Sequence, residues 1–303
     1  MSQLHNPLDR RRNAYRTDLA DIRLQGKIGA ARFVEGKLMQ VRHDSATMRK
    51  EPNAFLGLEN EALFGEMVLV FDQTDKWAWC QLVRDHYVGY MPLAALSAEV
   101  LPPTHRVKVT GTFVYPEPNI KRAPTTLLNL NARITVKGTT ADDHFVELAT
   151  GGFVYASHVC TIDMFARDFV DVAEQFNTTP YLWGGRTRLG LDCSGLVQLA
   201  LEAADVSCPR DSDMAAAELG ETVLVPADLE GLRRGDLIYW PGHCGIMIDA
   251  VMLLHANGYH MSTVIEPLSQ AARRIRKAGF GGTPTGPEIS AIRRLPDYNS
   301  ARA

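Results

Sequence analysis

The chain has 303 residues, 46% hydrophobic and 22% charged, the composition of a soluble globular protein with room for two or three domains. With 32 basic and 35 acidic side chains the net charge is −3, so no bulk electrostatic argument favours nucleic acid or an anionic membrane. The longest apolar runs, such as 67–71 and 250–254, are far too short to span a bilayer.

Residues 1–36 form an N-terminal extension. Its first 30 positions carry both charge signs and lack the apolar segment of a secretory signal. The five cysteines (Cys80, Cys160, Cys193, Cys208 and Cys244) are odd in number, scattered and without a CxxC pair. That pattern argues against a disulfide framework and a structural zinc site, and a reducing cytoplasm is the expected compartment. The basic runs Arg10–Arg12 and Arg273–Lys277 read as solvated faces.

From about 37 to 159 the chain reads as short strands. Met67–Phe71, Trp77–Val83 and Tyr87–Met91 are β-branched or aromatic, and Asp72–Asp75 is a polar turn. A weak repeat at an offset of about 65 residues relates Met48–Asn53 to Val114–Asn119, and 79–82 with 87–91 to 145–148 with 152–155. Two small β-barrels, 37–103 and 104–161, account for it, with Leu101–Thr104 as the joint.

The texture changes at 162, where an α+β domain is expected to run to 303. Met164–Phe176 places Phe165, Phe169, Val172, Ala173 and Phe176 on one helical face, and Ser194–Ala204 fits a second helix. Strand-like segments follow at 237–240, 245–248, 251–256 and 263–265. The Gly281–Pro287 loop is a cleft border or a plain connector.

Pro180-Tyr181-Leu182-Trp183-Gly184-Gly185 leads to Asp192-Cys193-Ser194-Gly195, where the helical pattern begins. A sulfur at a helix N-terminus meets N–H groups and a dipole that favour thiolate, and the same groups can serve an oxyanion. Most free cysteines are inert core residues; the histidines tip this case. His243 opens one predicted strand and His255 ends the next. A thiol nucleophile needs a base, and the base needs an orienter. Cys193 is therefore the expected nucleophile, His243 its base and His255 the group holding the His243 ring. Strand alternation turns Cys244 away from His243, so it is expected to be core.

These segments resemble the NlpC-type family of papain-like bacterial cell-wall peptide hydrolases. The resemblance rests on Pro180–Gly185, Asp192–Gly195, Arg234-Gly235-Asp236-Leu237, Gly242-His243-Cys244-Gly245-Ile246 and Leu254-His255-Ala256, in that order. Cys244 replaces the usual small apolar residue. The N-terminal barrels are similar to the bacterial SH3-like domains of one subgroup, the γ-D-glutamyl-L-diamino acid endopeptidases. The resemblance implies an α+β papain-like catalytic domain behind two SH3-like barrels. It also implies a cysteine peptidase acting on L-Ala-γ-D-Glu-diaminopimelate, a murein peptide with a free N-terminal L-alanine.

By the same resemblance, Asp192 pairs with the substrate ammonium, Asp211 and Ser212 line that pocket, and Tyr181 lies beside Cys193. Glu66 and Tyr90 of the first barrel contact substrate. By residue type and position alone, Asp192 also fits an N-cap, Glu66 an ordinary surface Glu and Tyr90 a barrel-core Tyr. No cofactor, metal, nucleic acid, membrane or obligate protein partner is expected. Recycling of released peptides is the expected role. The rival readings are hydrolysis of intact peptidoglycan outside the cell and a non-catalytic peptide binder on the same fold.

Overall fold

The computed structural model describes residues 8–226, 228–278 and 288–296; the 281–287 loop lies outside them. The chain divides into two compact units at 161/162, with 108–110 counted in the second.

In the first unit a five-stranded antiparallel sheet has the order Val88–Pro92, Trp77–Leu82, Met67–Gln73, Lys37–Val41, Leu96–Ser97. The strand from Met67 runs through the expected turn to Gln73 because a bulge between Val70 and Asp72 absorbs the irregularity. Alternate residues Met39, Val41, Val68, Val70, Ala78, Cys80 and Leu82 fill the core with Met48 and Met91. The described part of the N-terminal extension covers a second cluster, in which Ala14 and Leu19 pack with Phe71 and Trp79.

From 104 onward there are a five-stranded sheet, ordered Thr126–Asn129, Gly111–Tyr115, Phe153–Tyr155, Phe145–Leu148, Val136–Thr139, and a three-stranded sheet built on His105–Val107. The repeat seen in sequence has a structural counterpart. Trp77–Leu82, Val88–Pro92, the 3₁₀ turn Leu93–Ala95 and Leu96–Ser97 correspond in order to Phe145–Leu148, Phe153–Tyr155, the turn Ala156–His158 and Val159–Thr161.

The second unit opens with α1 (Phe169–Glu174), α2 (Cys193–Ala203) and α3 (Ser212–Glu218). Strands β1 (Glu221–Val223), β2 (Leu237–Trp240), β3 (His243–Met247), β4 (Met252–Asn257) and β5 (Ser262–Pro267) follow, then α4 (Leu268–Ala278) and β6 (Ala291–Arg294). The antiparallel sheet has the order β1-β6-β2-β3-β4-β5. α1 is shorter than the expected 164–176 helix. Asp168 caps it by accepting from the Val170 N–H at 2.8 Å, so the helical register starts there and Phe165 stays half-buried before it.

Each face of this sheet meets a different helix. Ile238, Trp240, Met247 and Leu253 pack with Leu268 and Ala271 of α4. α2 packs against β3 and β4, and ten of its eleven residues are buried, among them Gln198, whose Nε2 donates to the Cys208 carbonyl at 2.9 Å. Asp236, itself fully buried, anchors the start of β2 by pairing with the half-buried Arg294 of β6, Nη2 to Oδ2 at 2.6 Å.

Candidate active site

Cys193 is the first residue of α2, and Asp192 is its N-cap. One Asp192 oxygen accepts from the Gly195 N–H at 2.6 Å and the Ser194 hydroxyl at 3.3 Å. The other accepts from the Gly184 N–H at 2.8 Å and Arg210 Nη2 at 2.7 Å. Arg210, 1% exposed, also donates to the Ser194 hydroxyl at 2.7 Å. Four donors fill the four acceptor sites of a carboxylate, and the guanidinium offsets its charge. Asp192, expected at a substrate ammonium, holds the turn that leads into α2 through these four contacts. The glycines of this turn are there for closeness: a Cβ on Gly195 would lie 2.3 Å from the Gly185 carbonyl oxygen.

His243 arrives by a two-residue hairpin. Trp240 pairs with His243, and Pro241-Gly242 connects them, with Gly242 at φ +74°. His243 Nε2 lies 2.8 Å from His255 Nδ1, which leaves Nδ1 of His243 as the nitrogen that hydrogen-bonds Cys193. In the β3–β4 register Gly245 faces His255, and a Cβ at 245 would lie 3.0 Å from that of His255. Gly245 therefore keeps the lane open along which the two histidines meet. His255 is fully buried, and its Nε2 lies 2.8 Å from Glu266 Oε1 on β5. Arg274 of α4 grips the same carboxylate, with Nη1 to Oε2 at 2.6 Å.

The thiol of Cys193 is held well below its ordinary pKa. The hydrogen bond from the Cys244 thiol leads, burial opposes it, and His243 and the Cys244 N–H add to the lowering. The Cys244 thiol is pushed well above its usual value, because its proton is the one offered to Cys193 and because it is buried. This corrects the expectation for Cys244. Alternation does take it off the His243 face, but the face it turns to is the one α2 covers, where the nucleophile sits. Tyr181 is half-buried; burial, then the charges of Cys193 and Asp192, push its pKa up, so it stays a phenol with a proton to donate.

Asp211 and Ser212 open α3 immediately after Arg210. Both are half-exposed, and the Asp211 side chain does not cap the helix. In the first unit Glu66, 1% exposed, pairs with Arg84 Nε at 2.8 Å and accepts from the Leu63 N–H at 3.2 Å. It is an interior ion pair, which corrects the surface reading. The Tyr90 hydroxyl accepts from Arg16 Nη1 at 3.0 Å, and its ring packs against the Phe71–Trp79 cluster under the N-terminal extension. The pattern missed Arg210, Glu266 and Arg274. Arg274 sat inside a run read as solvated.

A thiolate at a helix N-terminus, a histidine on a neighbouring strand and a second histidine behind it define a papain-like cysteine peptidase. The profile of the NlpC/P60 family matches residues 178–276, and that of the bacterial dipeptidyl-peptidase Sh3 domain matches 48–96. Residues 178–276 thus form an NlpC/P60 domain, and 48–96 an SH3-type domain. Dipeptidyl-peptidase 6 of Lysinibacillus sphaericus is 25% identical over 234 residues, covering 70% of this chain and 84% of its own. The gamma-D-glutamyl-L-lysine dipeptidyl-peptidase of Bacillus cereus is 25% identical over 242 residues, covering 70% and 71%. A crystal structure of an NlpC/P60 family protein from Bacillus cereus shares the fold, with a TM-score of 0.66 at 20% identity over 86% of this chain and all of that one.

Proposed function

We propose that the protein hydrolyses the bond between γ-D-glutamate and a diamino acid in cell-wall peptides with a free N-terminal L-alanine, releasing L-Ala-γ-D-Glu. The observation that carries this is the pairing, in one chain, of an NlpC/P60 domain holding Cys193, His243 and His255 with a dipeptidyl-peptidase Sh3 domain. The relatives' names point to dipeptide release and, in Bacillus cereus and Bacillus subtilis, to L-lysine after γ-D-glutamate. Diaminopimelate is the leaving group in our reading, and lysine is its first competitor. We infer further that 104–161 is a second SH3-like copy, on the repeated element order.

The Cys193 thiolate attacks the γ-carbonyl carbon of D-glutamate, with the Cys193 N–H and the Tyr181 hydroxyl as donors for the oxyanion. His243 gives the proton it took from the thiol to the leaving amine as the C–N bond breaks. Water then hydrolyses the thioester, with His243 accepting its proton. A free ammonium entering this cleft needs a negative partner. Asp192, with Asp211 and Ser212, which follow its partner Arg210 in the chain, is the group to test first. Among the described residues no helix is long and apolar enough to cross a membrane, and no group of His, Cys, Asp and Glu is arranged to hold a metal. The role we assign is recycling of released peptides, for which the requirement for a free N-terminal amine is the test.

The deciding assay is release of diamino acid from L-Ala-γ-D-Glu-diaminopimelate, its lysine counterpart and their N-acetylated forms, with Cys193→Ala as control. Cleavage confined to the free-amine peptides and lost in the variant is expected. Equal cleavage of acetylated peptide would remove the ammonium requirement and, with it, the recycling role.

A further inference from the structure

His255 has two nitrogens and two different neighbours competing for one of them. Its Nε2 lies 2.8 Å from the Glu266 carboxylate and 3.1 Å from Asn257 Nδ2. A carboxylate only accepts and an amide nitrogen only donates, so the two demand opposite tautomers of the ring. If Nε2 carries the proton it donates to Glu266, and Nδ1 is a bare acceptor facing His243. If Nε2 is bare it accepts from Asn257, and Nδ1–H faces His243 instead.

Glu266 decides between them because it is held as an anion. Arg274 donates through both terminal nitrogens to its two oxygens, and the His255 and Arg274 hydrogen bonds, against burial, bring its pKa down to about 2. Asn257 has another commitment, its Oδ1 accepting from the His260 N–H at 2.9 Å. A charged acceptor at 2.8 Å outweighs a neutral donor at 3.1 Å.

The consequence travels to the sulfur. The thiolate–imidazolium pair requires His243 to carry protons on both nitrogens, Nδ1–H toward Cys193 and Nε2–H toward His255. Only a bare His255 Nδ1 can accept the second.

We propose that Glu266, clamped by Arg274, is a positioning residue that fixes His255 with its proton on Nε2, so that His243 can present Nδ1 to Cys193 as base and then as acid. This extends the constellation to five residues on four elements: Cys193 of α2, His243 of β3, His255 of β4, Glu266 of β5 and Arg274 of α4. The groups facing His255 are His243, Glu266 and Asn257. Arg274 lies behind Glu266 with its guanidinium 4.6 Å above the Tyr259 ring, and Cys193 with Cys244 lies beyond His243. The inference rests on the cysteine peptidase chemistry alone and holds whichever peptide is cleaved.

The test therefore avoids the substrate. In the full-length protein with ¹⁵N-labelled histidine at neutral pH, His255 is expected to show a protonated Nε2 and a bare Nδ1. In Glu266→Met the order should reverse, with Asn257 supplying the donor. Alkylation of Cys193 by iodoacetamide at mildly acidic pH should then slow on the order of 10-fold, while the rate at high pH is kept, because the ion pair has lost its acceptor. Arg274→Lys, which keeps a cation on Glu266, should retain most of the wild-type profile. A merely structural Glu266 would leave the tautomer and the pH profile unmoved. A wild-type His255 protonated on Nδ1, or a Glu266→Met alkylation profile that superimposes on wild type, overturns the proposal. Should the Met variant fail to fold, the wild-type spectrum alone decides. Failure of the peptide assay touches none of these readouts.

Discussion

Replacing Cys244 by valine isolates the contribution that most sets this nucleophile apart. The Cys193 thiol is 7% exposed, and burial alone raises a thiol pKa. Its pKa is instead held low, with the Cys244 thiol as the leading cause and His243 next. Valine nearly matches cysteine in volume, so packing in this buried position changes little, but it brings no donor. A hydrogen bond to a charged group is worth about 1.5–3 kcal/mol, and S–H is a weak donor, so the lower end applies. That converts to a rise of about one pH unit in the Cys193 titration. The assay is the rate of iodoacetamide alkylation of the Cys193 peptide across about pH 4 to 9, a span that covers ordinary imidazole and thiol titration. Cys193→Ala supplies the background from the other four thiols. Turnover at neutral pH should survive, since His243 still activates the sulfur. An unchanged or lower titration midpoint in Cys244→Val would refute the reasoning, because it would mean that His243 and the backbone N–H alone offset burial.

Two further outcomes follow from the groups around that sulfur. Arg210→Met removes one partner of a buried pair and leaves the Asp192 carboxylate uncompensated at the helix N-cap, so it should cost about 3–5 kcal/mol in denaturant unfolding; a loss below about 1 kcal/mol, the range of an exposed pair, would show that the pair is not the anchor of the nucleophile turn. Stability should also fall in acid. His255 is held near pKa 4, against 6.5 for the free side chain, first by burial and then by opposing effects of Glu266 and His243. The unfolded chain therefore binds the extra proton first, and stability present above about pH 6.5 drains away as pH falls to about 4, by at most about 3 kcal/mol. Glu266 adds a loss of the same sign between about 4.5 and 2. Urea midpoints of wild type and His255→Asn compared over this range check it, and parallel curves would count against the assignment.

Cys193 and His243 were legible because each sits beside glycines that shape its own turn, so motif and geometry occupy one short window, and His255 because it interrupts the apolar run Leu253–Ala256. Partnerships were not legible. Asp192 and Glu66 both look like carboxylates offered to a ligand, yet each is buried against an arginine 18 positions further along the chain, and only the fold reveals that pairing. Glu266 was invisible for a related reason. Its role comes from register: it faces Leu253 across β4–β5, which puts it on the same side of the sheet as His255. Arg274 reaches it from a helix whose basic run reads as solvent-facing. These placements also say why His243 stands where it does. Strand alternation gives β3 two faces, Cys244 and Ile246 toward α2, His243 and Met247 toward α4. The nucleophile belongs to the first side and the His255–Glu266–Arg274 chain to the second. A residue in the middle of β3 would be confined to one of them. His243 is the first residue of the strand, turned in by Gly242 and facing the bare Gly245 lane, and at that end of the sheet one ring reaches the sulfur with one nitrogen and His255 with the other.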